Sequence, residues 1–452
     1  MPSRITVLGT GYLGATHAAC MAELGFEVLG LDVNPDQVSA LASGVLPFHE
    51  PGLEELLRSG LESGRLRFTT SYSEAAAFGD VHFVCVGTPQ RPDSAAADLS
   101  HVLACVDALA PNLTRPCLIV GKSTVPVGTA EIIAERLARL APVGPAAEVA
   151  WNPEFLREGH AVADTMQPDR IVAGVTSPQA EEILREVYAG PLAAGVPFLV
   201  TSLPTAQLVK VAANAFLATK VSFINAIAEV CEAAGADIVP LAQALSFDQR
   251  IGGRFLVPGL GFGGGCLPKD IRAFGATASE LGVGSVSSWL DEVDAINLRR
   301  RARMVDLALE LAGGSLDGRA VAVLGCSFKP GSDDIRDSPA LDVAGSLHGL
   351  GARVTVYDPA AMDRARRQHP ELDFADSMLE AATDADLVLL LTEWPEFVDA
   401  DPVELGKVVA QRNIADGRIA LDPDRWLTAG WRYRALGRPA LPVATDTVPV
   451  TS

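Results

Sequence analysis

One cysteine in this chain stands where it could attack carbon. Cys266 is preceded by Gly259, Gly261, Gly263, Gly264 and Gly265 and followed by Leu267-Pro268-Lys269-Asp270. A loop almost without side chains lets backbone amides approach a ligand and takes positive φ at no cost. Pro268 suits the first turn of a helix and Asp270 its anion-favouring start. Cys266 is therefore expected at a loop-to-helix junction, where helix-end amides and Lys269 favour the thiolate, the nucleophilic form. The alternative is a buried structural cysteine beside a flexible loop, against which the glycines and the charged pair weigh. Lys210 and Asn214 lie four residues apart on a long helical pattern among alanines. The lysine there is either snorkelling or, with an amide one turn on, half of a cation-plus-donor pair for a developing oxyanion.

The elements that must position these groups alternate strand and helix. Ile5 to Leu8 runs into Gly9-Thr10-Gly11-Tyr12-Leu13-Gly14, an Ala-rich helix through about Leu24 follows, and a second strand, Phe26 to Leu31, ends at Asp32. GxGxxG after a strand, opening a helix, with an acid at the end of the next strand is the dinucleotide fingerprint. Gly9 permits the tight turn, Gly11 admits the pyrophosphate, Gly14 allows close helix packing, and Asp32 binds ribose hydroxyls while repelling a 2′-phosphate. NAD is the expected cofactor. Strands Val81 to Val86 and Cys117 to Val120 lead to Thr88 and Thr124, which are either helix caps or ligand contacts at the carboxyl ends of a parallel, doubly wound sheet. A further strand at Val149-Ala150-Trp151 runs into Asn152 to Gly159. Glu154 and Glu158 would share a face if that segment turned helical, as solvated surface or as functional carboxylates.

From Thr205 a long helix carries Leu208, Val211, Ala215, Leu217, Val221, Ile224 and Ile227 at helical spacing, and a second helical region spans roughly Ser285 to Leu311. Both suit a central connector and subunit interface. After a linker at 311–315 the opening design recurs: Ala320 to Leu324 meets Gly325, and Val354 to Tyr357 ends at Asp358. Here Gly325 to Gly331 lacks the glycine spacing, so this copy is not expected to hold a dinucleotide; Lys329 and Arg336 either face phosphate or are ordinary surface cations. The expected architecture is α/β: two Rossmann-like doubly wound domains joined by a long central helical dimerisation region. The boundaries are 1–200, 201–312 with the cysteine loop, 313–440, and a disordered tail at 441–452.

Composition narrows the classes. At 452 residues the chain is long enough for two or three domains. A net charge of −20 argues against nucleic acid and anionic membranes. No apolar run approaches the roughly 18 residues that span a bilayer, and the N-terminus lacks a signal peptide's shape, so a cytoplasmic protein is expected. Seven cysteines, scattered and without a CxxC pair, point to reduced thiols, with neither a disulfide framework nor a metal site.

Taken in order, GTGYLG at 9–14, VGTP at 86–89, KSTVPVGT at 122–129, NPEFLREG at 152–159, Lys210 with Asn214, GFGGGCLPKD at 261–270 and FKPGSDDIRDSP at 328–339 resemble the UDP-glucose/GDP-mannose dehydrogenase family over nearly the whole chain. The resemblance implies an N-terminal NAD domain, a dimerising centre giving a homodimer or higher oligomer, and a C-terminal domain gripping UDP. It further implies a four-electron oxidation of UDP-glucose to UDP-glucuronate with two NAD used in turn. GDP-mannose and UDP-N-acetylmannosamine are alternative substrates. Cys266 would be the nucleophile, Lys210 and Asn214 oxyanion partners, and Asp270 a support for water and lysine. Glu154 would be base to the hydrolytic water, which Thr124 positions. Gly9, Gly11, Tyr12, Leu13, Gly14, Asp32, Gln37, Thr88, Thr124, Glu158, Lys269 and Arg336 would meet NAD. Glu154, Phe155, Leu156, Arg157, Glu158, Lys210, Asn214, Phe255, Leu256, Val257, Pro258, Gly259, Gly263 and Lys329 would meet the sugar nucleotide, with Arg250 reaching from a partner subunit. Three positions depart from the family: Gln37 stands where lysine is frequent, Gly265 where serine is, and Ile419 where asparagine follows the arginine. An epimerase would need a Tyr-x-x-x-Lys pair, which no tyrosine here supplies. A non-catalytic NAD sensor switched by Cys266 oxidation would bind without turnover.

Overall fold

The computed structural model describes residues 3–439; the tail expected to be disordered, 441–452, lies outside them. The chain packs as two units, one of residues up to Asn214 with Arg272–Gly284, the other of Ala215–Ile271 with residues from Ser285 onward.

In the first unit the strands are β1 (Ile5–Leu8), β2 (Val28–Leu31), β3 (Leu66–Thr69), β4 (Val81–Val84), β5 (Cys117–Gly121), β6 (Ala147–Trp151), β7 (Ile171–Gly174) and β8 (Phe198–Thr201). They lie in the order β3-β2-β1-β4-β5-β6-β7-β8. β1, β2 and β4 are mostly apolar and buried along their whole length, as strands covered on both faces are. Alternate residues feed opposite layers: Ile5, Val7 and Phe83 join the helix Tyr12–Glu23 in one core, and Leu8, Leu29 and Val84 join the helices Ser100–Leu109 and Thr129–Leu140 in the other. β1 pairs with β2 on one side and β4 on the other, so the order reverses beside the fingerprint turn, where such sheets take their ligands.

Two strands depart from the expected all-parallel sheet. β7 meets β6 antiparallel at Trp151 and Gly174, and β8 follows β7. The only helix in the connection, Ala161–Met166, spans about 9 Å, too little to return the chain along a five-residue strand of about 17 Å. The connection therefore stays near the carboxyl end of β6, and β7 enters from that end.

The second unit repeats the central plan. β9 (Ala320–Leu324), β10 (Arg353–Tyr357), β11 (Asp373–Phe374), β12 (Leu387–Leu390), β13 (Asn413–Asp416) and β14 (Arg432–Ala435) form a parallel sheet in the order β11-β10-β9-β12-β13-β14. Asp358 follows β10 as Asp32 follows β2, yet it is fully buried and internally satisfied. One carboxylate oxygen accepts the amides of Cys326 and Ser327, the Ser327 hydroxyl and the Trp394 indole; the other accepts the amides of Ala360 and Ala361. With all its acceptor capacity used by donors of its own turn, of 326–327 and of Trp394, this acid has nothing left for a ribose.

The helix Leu203–Ala234 runs 32 residues and by length and composition is apolar enough to cross a bilayer. This corrects the expectation that no segment comes near that length. Lys210, Asn214, Lys220 and Asn225 break the run while the alanines keep its mean hydropathy high. Its polar residues behave as those of a core helix. Buried Gln207 accepts from the Ala130 amide, and buried Ser222 donates to the Val293 carbonyl at 2.7 Å.

Candidate active site

The first unit supplies a dinucleotide cradle. Gly9 has φ +84°, and a Cβ on Gly14 would lie 1.8 Å from the Gly9 carbonyl oxygen, whereas nothing lies within 4 Å of the corresponding position on Gly11. Turn, contact and opening are thus each built from the glycine that serves it. The Asp32 carboxylate accepts the Thr10 amide at 2.8 Å and the Asn34 amide at 3.0 Å, which aims it without burying it. Gln37 donates its side-chain amide to the Thr10 carbonyl at 2.8 Å, which places it beside the fingerprint. These features fit an NAD molecule: Gly11 opens toward a pyrophosphate and Asp32 keeps acceptor capacity for ribose hydroxyls. Thr88 donates to the Thr124 carbonyl at 2.8 Å. Neither threonine caps a helix, since Leu99 and Gly128 precede the helices that follow.

Beyond β6 the segment does not turn helical, so Glu154 and Glu158 share no helix face. Residues 152–157 are an irregular loop and the next helix starts at Ala161. Pro153 disfavours helix at its predecessor, and the Glu154 carboxylate itself accepts the amides of Phe155 at 2.7 Å and Leu156 at 2.9 Å. Its other oxygen lies 2.9 Å from the Lys122 ammonium. Burial raises the Glu154 carboxyl, but Lys122 and the two amides more than offset it, holding the group below the usual carboxylate range. The Phe155 ring carries two cations, Arg170 at 3.9 Å and Lys210 at 5.7 Å from its centroid. Lys210 and buried Asn214 follow one turn apart on the same helix. Arg157 is engaged by Asp164, donating from its guanidinium at 2.6 and 2.9 Å.

The second unit presents the thiol. Cys266 is exposed, the helix Leu267–Glu280 begins at the next residue, and the other six cysteines are buried or half-buried; none of the seven is in a disulfide. Lys269 reaches Asp270 at 2.7 Å. The glycines before the thiol are needed for close approach. A Cβ on Gly263 would lie 2.3 Å from the Asp337 carbonyl oxygen, one on Gly264 would strike the Phe328 ring, and one on Gly265 would lie 2.2 Å from the Arg336 guanidinium. Gly265, where serine is frequent, thus leaves the space that Arg336 fills. Asp334 holds that guanidinium at 2.6 Å. Lys329 lies 5.3 Å from the centroid of the Phe328 ring. Leu256 is buried, while Val257 is exposed and Phe255 takes φ +65°. Arg250 is 90 % exposed and paired with Asp248.

Several residues that hold the site in shape were not legible as site residues. Glu50, buried, accepts the Tyr12 hydroxyl and the amides of Gly159 and Ala161, both at 2.7 Å, tying the 152–161 loop to the fingerprint helix. Asn225 accepts the Gly259 amide at 2.8 Å, and Asn297 accepts the Phe262 amide and donates to its carbonyl. Arg418 donates to the carbonyls of Leu391, Gly261 and Phe328. Their partners are backbone groups, which no residue pattern announces. Ile419, where asparagine is frequent, has φ +56°, a conformation that asparagine tolerates and a β-branched residue resists. Its side chain packs on the cluster of Ile224, Ala228 and Ile238, which offsets the strain.

A dinucleotide cradle in one unit and an exposed thiol at a helix start in the other are the equipment of a nicotinamide-dependent oxidoreductase with a cysteine nucleophile. Models of the UDP-glucose/GDP-mannose dehydrogenase family match along the chain: its NAD binding domain at residues 3–191, its central domain at 204–299 and its UDP binding domain at 322–423. The chain belongs to this family, and NAD is its cofactor. It is 42% identical over 440 residues to a UDP-glucose 6-dehydrogenase of Rhizobium meliloti (strain 1021), covering 96% of this chain and 100% of that one. Among solved structures it resembles a UDP-glucose dehydrogenase from Pyrobaculum islandicum, with a TM-score of 0.89, 38% identity, and 97% and 98% of the two chains covered. A UDP-D-ManNAc dehydrogenase from Pyrococcus horikoshii is also similar, with a TM-score of 0.85, 27% identity, and 96% and 99% covered.

Proposed function

We propose that the chain is a cytoplasmic UDP-glucose 6-dehydrogenase that carries UDP-glucose to UDP-glucuronate. The observation that carries this reading is the exposed Cys266 thiol at the start of its helix, in a chain with a complete NAD cradle. The work is divided over 1–200 for NAD, 201–312 for the central helices and cysteine loop, and 313–440 for UDP. When bound, NAD would supply the hydride acceptor for each of the two oxidations. Gly9, Gly11, Tyr12, Leu13, Gly14, Asp32, Gln37, Thr88, Thr124, Glu158, Lys269 and Arg336 hold it. Glu154 to Glu158, Lys210, Asn214, Arg250, Phe255 to Gly259, Gly263 and Lys329 hold the sugar nucleotide.

After the first oxidation the aldehyde carbon is attacked by the Cys266 thiolate, and its oxygen becomes negative in the thiohemiacetal. The Lys210 ammonium and the Asn214 amide hold that oxygen, each well-placed donor contributing about 3–4 kcal/mol. The second oxidation leaves a thioester on Cys266. Thr124 positions the water that cleaves it, Glu154 takes the water's proton, and Asp270 supports water and lysine. Covalent attachment keeps a reactive aldehyde from escaping.

The test is a panel of UDP-glucose, GDP-mannose and UDP-N-acetylmannosamine. UDP-glucose is expected to release two NADH per molecule consumed, with the other two poor substrates. Binding of NAD without NADH release from any of them would favour the sensor reading instead.

The enzyme is a homodimer in this reading. Phe216, Phe223 and Val230 are exposed and recur at intervals of seven on the long helix, forming an apolar stripe that a second copy would cover. Glutamate at Phe216 and Phe223 together is expected to yield a monomer by light scattering. A double variant with unchanged mass would remove this face as the interface.

A further inference from the structure

We propose that Lys122 is a positioning residue for the hydrolytic half of the reaction, its buried ammonium holding the Glu154 carboxylate charged and in one orientation. The inference rests on the reading of Glu154 as the acceptor of the water's proton. Lys122 directly follows β5 and Glu154 follows β6, neighbouring strands of one sheet. The lysine side chain is 4% exposed and that of Glu154 16%, with Nζ and Oε2 2.9 Å apart. The other ammonium contacts are Asn152 Oδ1 at 3.0 Å and the Tyr188 hydroxyl at 3.4 Å. Asn152 is itself fixed: it donates to the Val172 carbonyl at 2.8 Å and accepts from Tyr188. The ammonium therefore sits in a rigid socket with all three donors used. Glu154 Oε1 is held by two amides and Oε2 by the ammonium, so both carboxylate oxygens are anchored while Oε2 keeps a further lone pair.

No other charge competes for this pair among the titratable groups that interact with it. His17 and Cys20 belong to the helix Tyr12–Glu23, Cys85 follows β4, and Tyr188 follows the helix Pro178–Val187. Burial drives His17 down to its neutral form, pushes the Cys20 and Cys85 thiols up to about 12, and raises the Tyr188 phenol. All four are neutral near pH 7, which leaves Lys122 as the charge that opposes desolvation of Glu154. A carboxylate whose folded pKa is depressed accepts protons only at low pH. It is therefore available as a proton acceptor throughout the neutral range and is lost to the reaction only as pH falls through the depressed value. Without the ammonium, burial is opposed only by the two amides, and Glu154 protonates at higher pH.

The experiment compares the full-length enzyme with Lys122→Met and Lys122→Arg, following the pH profile of kcat and the single-turnover decay of the Cys266 thioester. The acidic limb of thioester decay is expected to move up by about one to three pH units in Lys122→Met and less in Lys122→Arg. A lower plateau with an unmoved limb would mark a merely structural role and overturn the proposal. Should Lys122→Met fail to fold, carboxyl 13C titration of the native enzyme decides, the Glu154 signal being the one missing in Glu154→Gln. Full ionisation from about pH 5 upward supports the proposal, and a midpoint at or above the ordinary glutamate value sinks it. If Glu154→Gln turns over normally, the role of Glu154 falls and this inference with it. If Glu154→Gln is impaired but the Lys122→Met limb stays put, only the inference about Lys122 falls.

Discussion

Cys266→Ser is expected to lower UDP-glucuronate formation by about four orders of magnitude while leaving NAD affinity within a factor of a few. The serine hydroxyl is a far weaker nucleophile than a thiolate, so the aldehyde-level intermediate either dissociates or persists as an unproductive adduct. No other cysteine can take over. Cys20, Cys85 and Cys105 are pushed up to about 12 by burial and Cys117 to about 11, and burial likewise raises Cys231 and Cys326. The fingerprint turn and Asp32 belong to the other unit and do not involve the thiol, so NAD titration reads binding apart from the chemistry. NADH release under single turnover, NAD titration and product analysis read the three quantities. Normal multiple turnover to the acid would end the covalent mechanism.

Glu232→Ala should cost the second unit about 3–5 kcal/mol, the scale for stripping the partner from a buried charge. Arg300 is fully buried; it donates to Glu232 at 3.2 Å and to the Gly259 carbonyl at 3.4 Å. The same carboxylate accepts from Arg303 and from the Gly437 amide, both at 2.7 Å. Removing it leaves the Arg300 cation the Gly259 carbonyl and, among the described residues, one more distant carboxylate, Glu229 at 3.9 Å, so desolvation of the guanidinium goes largely uncompensated. A loss of this size lowers Tm by roughly 6 to 20 °C for a domain of this length. Arg300→Met should be milder, because Glu232 keeps Arg303 and Gly437 while an apolar side chain fills the space. Calorimetry of both variants checks the order: a Glu232→Ala melt within a degree or two of the parent, or an Arg300→Met melt well below it, would contradict this account. Because Arg300 also holds Gly259, the Glu232→Ala variant should lose sugar-nucleotide affinity before it unfolds.

The linear order of residues determined what depends on neighbours in the chain. The fingerprint at 9–14 with Asp32, the buried strands, and the placement of Cys266 just before a helix that begins with Leu267-Pro268 all follow from local backbone preference and periodicity. The expectation that the second copy holds no dinucleotide likewise rests on the glycine spacing at 325–331. Tertiary structure alone decided which buried polar groups meet. Glu154 and Glu158, four apart, suggested one helix face; instead Pro153 and the acceptor demand of Glu154 keep the loop open, and Lys122 from the adjacent strand claims the carboxylate. Glu50 reaching Gly159 and Ala161, Asn297 clamping Phe262 and Asp358 holding the amides of Cys326 and Ser327 are likewise pairings made by the fold. The antiparallel entry of β7 depends on how short a helix the connection contains. In each case the physical reason is the same: a backbone preference is a property of a few consecutive residues, whereas the partner of a buried charge or amide is settled by which distant segment the folded chain brings within 3 Å, and by the cost of leaving that group unpaired.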